Sequence, residues 1–368
     1  MNKPRVLLTG ASGSMGHEAF LELRRRRERY HVKVLLRPSR ANKKMFSRYL
    51  GNANQDWLEV VWGDLNKSSD VDRAVDGVDF VLHPAAVIPP VADHHPDAAR
   101  SVNVGGTRKL LDAIARQPNG NERIAFVNVG TVAQYGHRLP PIETIRVGDP
   151  MRPNSFDYYA VTKCAAERLV AESDLARWVS IRQTFIVFPN LLTLLDPILF
   201  HQPLEQRMEF ITSRDAGYGL VQCLETRDDF WGHFYNMSGG PECRVIYKDF
   251  IDRLFRIFGL GDYRKIFDRN WFALYGAHCG YFEDSPLLDN HLGHFRSSYE
   301  DYCESVEREA AAWMRWGARL APVPLLRVLA RRMAEPLHWI EQGDEARIRA
   351  FFGSRENWSR IPGWQETP

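Results

Sequence analysis

Tyr159 and Lys163, in the run Tyr159-Ala160-Val161-Thr162-Lys163, offer acid–base chemistry if that segment is helical. Residues four apart project from one face of a helix. A free phenol, with a pKa of about 10, exchanges protons poorly near neutrality. An ammonium one turn away favours phenolate and is expected to bring the hydroxyl toward a working range. Thr131, in Thr131-Val132-Ala133-Gln134-Tyr135, can donate a hydrogen bond to a substrate oxygen. The set suits interconversion of a carbonyl and an alcohol, with Tyr159 protonating the developing alkoxide. Tyr158 has Thr162, not lysine, at plus four, and points about 100° away around the helix, toward packing.

A second constellation lies at the start of the chain. Thr9-Gly10-Ala11-Ser12-Gly13-Ser14-Met15-Gly16 follows a strand-like run and opens a helical one. Three glycines there permit a tight turn, close approach of backbone to a pyrophosphate and close helix–strand packing, with free helix N–H groups facing the negative charge. An acid about 20 residues further on would bind the ribose 2′-hydroxyl of NAD. That place holds Leu36, followed by Arg37-Pro38-Ser39-Arg40 and Lys43-Lys44. Nothing there repels a 2′-phosphate, and a guanidinium could bind it bidentately. NADP(H) is therefore preferred and NAD(H) second, with Arg37 the leading contact and Ser39, Arg40 and Lys44 behind it. A solvated basic loop is the plain alternative.

Alternation of short and long patterns positions these groups. Candidate strands are Arg5–Thr9, Val32–Arg37, Leu58–Trp62, Phe80–His83, Ile124–Val129 and Val179–Gln183. Candidate helices lie near Met15–Arg29, Lys43–Leu50, Ser69–Val75, Asp97–Ala115 and Phe156–Glu172. Regular β-α-β alternation predicts an α/β fold, a doubly wound parallel sheet with ligands outside the carboxyl ends of its strands. Residues 1–185 form the expected dinucleotide-binding domain. Residues 186–368 form a smaller, mostly helical substrate lobe, some of which can return to the sheet. Helices are expected at Ala216–Glu225 and Lys248–Phe258, and a helical tail over Ser298–Phe352, interrupted at Pro322, Pro324 and Pro336.

The order of motifs resembles the extended short-chain dehydrogenases/reductases, with a cofactor loop similar to that of dihydroflavonol-reductase-type NADP reductases. The glycine run resembles T-G-x-x-G-x-x-G, and His83-Pro84-Ala85-Ala86 resembles H-x-A-A. Asn103–Thr107 resembles N-V-x-G-T, Thr131–Gly136 resembles S/T-x-x-x-Y-G, and Phe234–Gly240 resembles the late Y-N-x-G-G segment. The resemblance implies a Rossmann fold. It implies that Asp64 and Leu65 meet the adenine, that His83, Ala85 and Ala86 line the cofactor, and that Gln183 lies on the nicotinamide side. It further implies that Asn103 steadies the site and Lys163 binds the nicotinamide ribose. A homodimer through the helices near 97–115 and 156–172 also follows by resemblance, unless the tail covers them. Val132-Ala133 stand where sugar-nucleotide dehydratases carry acids, which argues against dehydration.

The 368 residues, 44 % hydrophobic and 26 % charged with a net charge of +2, suit a soluble globular protein and give no broad basic excess for nucleic acid. Five scattered cysteines without a C-x-x-C pair suit a reducing cytoplasm. Leu191–Phe200, the most apolar stretch, is about half a membrane span and contains Asp196. No signal peptide is expected ahead of the first strand. His291-x-x-His294, with Cys279 and His278, lacks an evident fourth ligand, and no metal is expected. The expected activity is that of an NADP(H)-dependent oxidoreductase on a bulky apolar or aromatic carbonyl or alcohol. The alternatives are a nucleotide-sugar epimerase with retained NAD and a non-catalytic dinucleotide sensor. Substrate candidates are His94, Tyr135, Trp271, Phe272, Tyr275 and Tyr281, the aromatic ones forming either a pocket roof or ordinary packing. Leu325–Met333 is amphipathic and basic and is expected to dock on the lobe rather than on a membrane.

Overall fold

The computed structural model describes residues 3–50, 56–138, 141–142, 144–189, 196–276 and 279–364. Residues 191–195 of the apolar stretch, and His278, lie outside them.

Seven strands form one parallel sheet: β1 (Arg5–Thr9), β2 (His31–Leu36), β3 (Leu58–Trp62), β4 (Phe80–His83), β5 (Ala125–Thr131), β6 (Trp178–Gln183) and β7 (His233–Met237). Their order across the sheet is β7-β6-β5-β4-β1-β2-β3, so the chain reverses direction between β1 and β4. That reversal opens the crevice at which such sheets bind ligands. The central strands are aliphatic on both faces because both are covered; all seven residues of β5 are buried.

One face is covered by α1 (Ser14–Arg25) and α2 (Arg40–Ser47), through Phe20 and Phe46, and by segments that return from beyond residue 185. The helix α3 (Ser68–Val75) covers the other face with α4 (Thr107–Ala115) and α5 (Tyr158–Ala171), through Val71, Ile114 and Val170. The returning segments are α6 (Ser213–Gln222), which packs along α1, and the edge strand β7. The Phe234–Gly240 motif thus begins as a sheet strand.

The helix expected over Asp97–Ala115 is divided. A short turn at Pro96–Ala99 leads into a π-helical stretch at Arg100–Gly106, and regular helix resumes at Thr107. The wider turn carries Asn103, whose side chain is committed to the backbone of Val87. Such π segments cluster at functional sites.

Beyond the sheet, α7 (Tyr247–Phe258) ends at Gly259, which has φ 79°. Its Phe250, Leu254 and Phe255 join Phe200, Phe210, Phe267, Trp271 and Phe272 in a separate aromatic core. The tail is helical as expected: Tyr299–Glu309, Ala312–Leu320, Val323–Met333, Glu335–Gln342, Glu345–Phe352 and Arg355–Ser359. Pro324 and Pro336 do not break helices but lie in first turns, where no backbone N–H is needed.

Candidate active site

The glycine turn fixes the floor of the crevice. Gly10 has φ 63°, and a Cβ there would lie 2.8 Å from the Cα of Ala85. At Gly16 a Cβ would fall 2.1 Å from the carbonyl oxygen of Gly10. Only glycine lets the loop turn this tightly against both β4 and α1. Gly13 donates its N–H to Gly10 O at 2.9 Å, and Ser12, Gly13 and Ser14 are exposed at the helix N-terminus, while Met15 is buried beneath. These residues fit a dinucleotide pyrophosphate: a cradle that a methyl group would fill, with a helix N-terminus behind it.

His83 and Thr9 lie inside this floor rather than along its surface, which corrects the expectation that His83 lines the cofactor. Thr107 donates its hydroxyl to Asn103 O at 2.7 Å, so its contact with His83 Nε2 at 3.1 Å must be an acceptance. His83 Nδ1 then accepts from Thr9 Oγ1 at 2.8 Å, and Thr9 accepts from the N–H of Ala85. Burial, aided by the charge of Lys163, holds the imidazole neutral with a pKa of about 3. The chain of contacts ties the glycine loop, the H-x-A-A turn and the Asn103 segment into one unit; Ala85 and Ala86 remain partly exposed above it.

At the end of β2, Ser39 caps α2 by accepting from Asn42 N at 3.1 Å, so its hydroxyl already has a structural task. Arg37, Arg40 and Lys44 are exposed, and none forms an ion pair among the described residues. At the end of β3, Asp64 and Leu65 are partly exposed; the Asp64 N–H donates to Asp70 Oδ2 at 2.9 Å, and Asp64 Oδ1 accepts from Asn66 N.

The acid–base group forms where α5 meets the ends of β5 and β6. Asp157 caps α5 by accepting from Ala160 N at 2.8 Å. That start turns Tyr159 toward Thr131, whose side chain lies near enough to favour the ionised phenol. Thr131 ends β5, and its N–H is held by Gln134 Oε1 at 2.7 Å. Lys163 is buried one turn below Tyr159. Asn103 Nδ2 donates to Thr162 Oγ1 at 2.9 Å, so it positions α5 and the Val87 loop together.

Burial dominates the electrostatics of this group. It pushes the Tyr159 phenol up to about 12, against the influence of the nearby Thr131 side chain and with help from the Asp157 charge. The expected depression by Lys163 is absent in this state. Lys163 itself is pushed down to about 8 by burial, opposed by the Glu167 carboxylate. Tyr159 is therefore held protonated at neutral pH.

Glu167 was not anticipated, although it continues the stripe Tyr159-Lys163-Glu167 at four-residue intervals. Its carboxylate accepts from Arg182 Nη2 at 2.8 Å and from Ser180 Oγ at 2.8 Å, all buried. Arg182 continues to Tyr135 Oη at 2.7 Å, and Tyr135 donates to Asn236 Oδ1 at 2.8 Å. Tyr135 is thus a buried strut between β5 and β7, not a substrate contact. Gln183, beside Thr131 in register, is buried with its Oε1 unpartnered among the described residues. It leaves an acceptor free for a carboxamide of the cofactor.

Trp271 and Phe272 are packed in the aromatic core, 6.3 Å and 5.1 Å from the ring of Phe200, so they roof no pocket. Tyr281 is flanked by Arg207 and Arg244. Tyr275 remains partly exposed beside His137. His94 is exposed and pairs with Glu335 of the tail at 3.3 Å; His201 holds the other oxygen of Glu335 at 2.9 Å. His291 contacts Tyr235 and His294 contacts Asp289.

A glycine cradle at the strand-order reversal, with tyrosine and lysine on the adjoining helix, defines a Rossmann-fold dinucleotide protein. The sequence model of the NAD dependent epimerase/dehydratase family matches residues 6–191, and the chain belongs to that family. It is 35 % identical over 121 residues to a 3β-hydroxysteroid dehydrogenase/Δ5→4-isomerase of Mycobacterium tuberculosis, covering 31 % of this chain and 30 % of that protein. A 3β-hydroxysteroid dehydrogenase of Mycolicibacterium neoaurum is 30 % identical over 177 residues, 45 % of this chain and 42 % of the relative. The chain therefore matches less than half the length of these relatives. In fold it resembles the UDP-glucuronic acid 4-epimerase of Bacillus cereus, solved with UDP-glucuronic acid and NAD. That likeness has a TM-score of 0.63 at 20 % identity and covers 83 % of this chain and 98 % of the other.

Proposed function

We propose that the protein is an NADP(H)-dependent oxidoreductase that interconverts a ketone or aldehyde and its alcohol on a bulky apolar small molecule. The observation that carries this reading is the meeting of Tyr159 with Thr131 at the end of β5, with Lys163 buried one turn below. The glycine loop from Gly10 to Gly16 would hold the pyrophosphate, Asp64 and Leu65 the adenine end, and Arg37 with Arg40 and Lys44 a 2′-phosphate. The dinucleotide, when bound, supplies or accepts hydride. Thr131 orients the substrate oxygen, and Tyr159, kept protonated by the desolvation that raises its phenol, gives its proton to that oxygen as negative charge develops. Lys163 retains an ammonium below about pH 8, facing the site as a positive charge.

An apolar substrate is favoured by the loop after the H-x-A-A turn, where Ile88 and Val91 are exposed, and by the steroid substrates named for the two mycobacterial relatives. The cofactor loop, free of carboxylates, favours NADP(H) over NAD(H). A reducing cytoplasm is the proposed setting, and a homodimer through α4 and α5 the proposed assembly. Among the described residues no helix is long and apolar enough to cross a membrane.

Oxidation of NADPH and NADH against a panel of ketones and aldehydes, including steroid-like ones, tests the reading. NADPH turnover on an apolar carbonyl is expected. Silence toward every carbonyl, together with NAD retained through purification, would instead favour an epimerase.

A further inference from the structure

The tail helix Val323–Met333 is apolar on two sides. Leu326, Ala330 and Met333 recur at helical spacing and pack on the aromatic core. Leu325, Val328 and Leu329 form a second stripe, turned outward and 54 %, 51 % and 47 % exposed. A surface helix ordinarily needs one apolar stripe, because only one face reaches a core. The preceding helix, Ala312–Leu320, repeats the anomaly with Trp316 at 67 % and Leu320 at 65 % exposure, one turn apart.

Charge says what would cover this face. From Ala310 to Ala334 the chain has five arginines and no acidic residue. Arg327 is spent on Asp268 and Arg331 on Glu341. Arg315, Arg319 and Arg332 have no ion pair among the described residues. A second copy meeting this face across a two-fold axis would bring like charges together. Exposed leucines and a tryptophan on helices that also carry unpaired arginines instead match the boundary between acyl chains and anionic headgroups.

We propose that the two successive helices of residues 312–333 lie flat on an anionic lipid surface, anchoring the protein peripherally. The inference is independent of the catalytic reading, since neither Tyr159 nor any other site residue takes part. It reverses the expectation that this segment serves only to dock the tail: the inner stripe does that, and the outer stripe is left over.

Sedimentation of the full chain with phosphatidylcholine vesicles, with and without about one third phosphatidylglycerol, tests it. Binding is expected to the anionic vesicles, weakening as salt rises. The exposed pair Arg319→Gln/Arg332→Gln should lower the partition coefficient roughly 25-fold, about 5-fold for each charge. Leu325→Ser/Leu329→Ser should lower it at least about tenfold, both variants melting as the parent does. Failure of the parent to bind anionic vesicles at low salt overturns the proposal, as does binding that neither pair weakens. A dimer that the serine pair converts to monomer would assign the face to a second copy and equally overturn it.

Discussion

Replacing Lys163 by methionine should make the protein more stable while removing its activity. Burial holds the ammonium's pKa near 8 rather than 10.5. The difference of about 2.5 units, at about 1.36 kcal/mol per unit, is an order-of-magnitude cost of about 3 kcal/mol for keeping the charge in the folded protein at neutral pH. Methionine keeps an unbranched apolar stem and removes the charge. For a chain of 368 residues a gain of about 3 kcal/mol corresponds to a rise in Tm of about 4 °C. The pH dependence separates this cause from better packing. Between about pH 8 and 10.5 the unfolded chain keeps a proton that the folded one has released, so the parent gains stability as pH rises. The advantage of Lys163→Met should therefore be full at pH 7 and fade across that window. Thermal or urea unfolding of both proteins at several pH values measures it. A variant no more stable than the parent at pH 7, or one whose advantage ignores pH, would refute the reasoning.

Three other outcomes follow from the same geometry. Glu167→Gln leaves the Arg182 guanidinium buried without its carboxylate and should cost about 3–5 kcal/mol, read as a lower urea midpoint. Gly16→Ala places a methyl 2.1 Å from the Gly10 carbonyl oxygen and should weaken NADPH binding at least about tenfold by fluorescence titration, because the loop must open. Arg37→Glu sets a carboxylate where a 2′-phosphate would sit. It should shift the NADPH-to-NADH preference by at least about tenfold toward NADH, a charge-assisted hydrogen bond being worth roughly 1.5–3 kcal/mol, as measured by kcat/KM for each cofactor.

Much of the sheet was legible because its strands are short aliphatic runs between glycine, aspartate and helix-forming segments. Three of the six expected strands have the predicted bounds, and the others move at their ends. The glycine turn and the Tyr159/Lys163 spacing were legible for a related reason: each is a local pattern that dictates its own geometry. What escaped was long-range. Nothing near His83 in sequence says that Thr9 and Thr107 will close on it from two other segments. Tyr135 and Arg182 are 47 residues apart, and their contact depends on β5 and β6 being neighbours. Asn103, in the divided helix, bonds to the backbone of Val87, 16 residues earlier and in another segment. Aromatic content alone could not separate a pocket roof from a core. Trp271 and Phe272 went into the core because a lobe outside the main sheet has to build one of its own.

The central claim is that Tyr159 is the proton donor, and the Tyr159→Phe variant tests it most directly. With a carbonyl that the parent reduces, kcat should fall about 10²–10⁴-fold, the range for loss of a general acid, while the affinity for NADPH and the melting temperature stay close to those of the parent. A kcat within tenfold of the parent at saturating substrate would contradict the account, because the proton would then come from elsewhere.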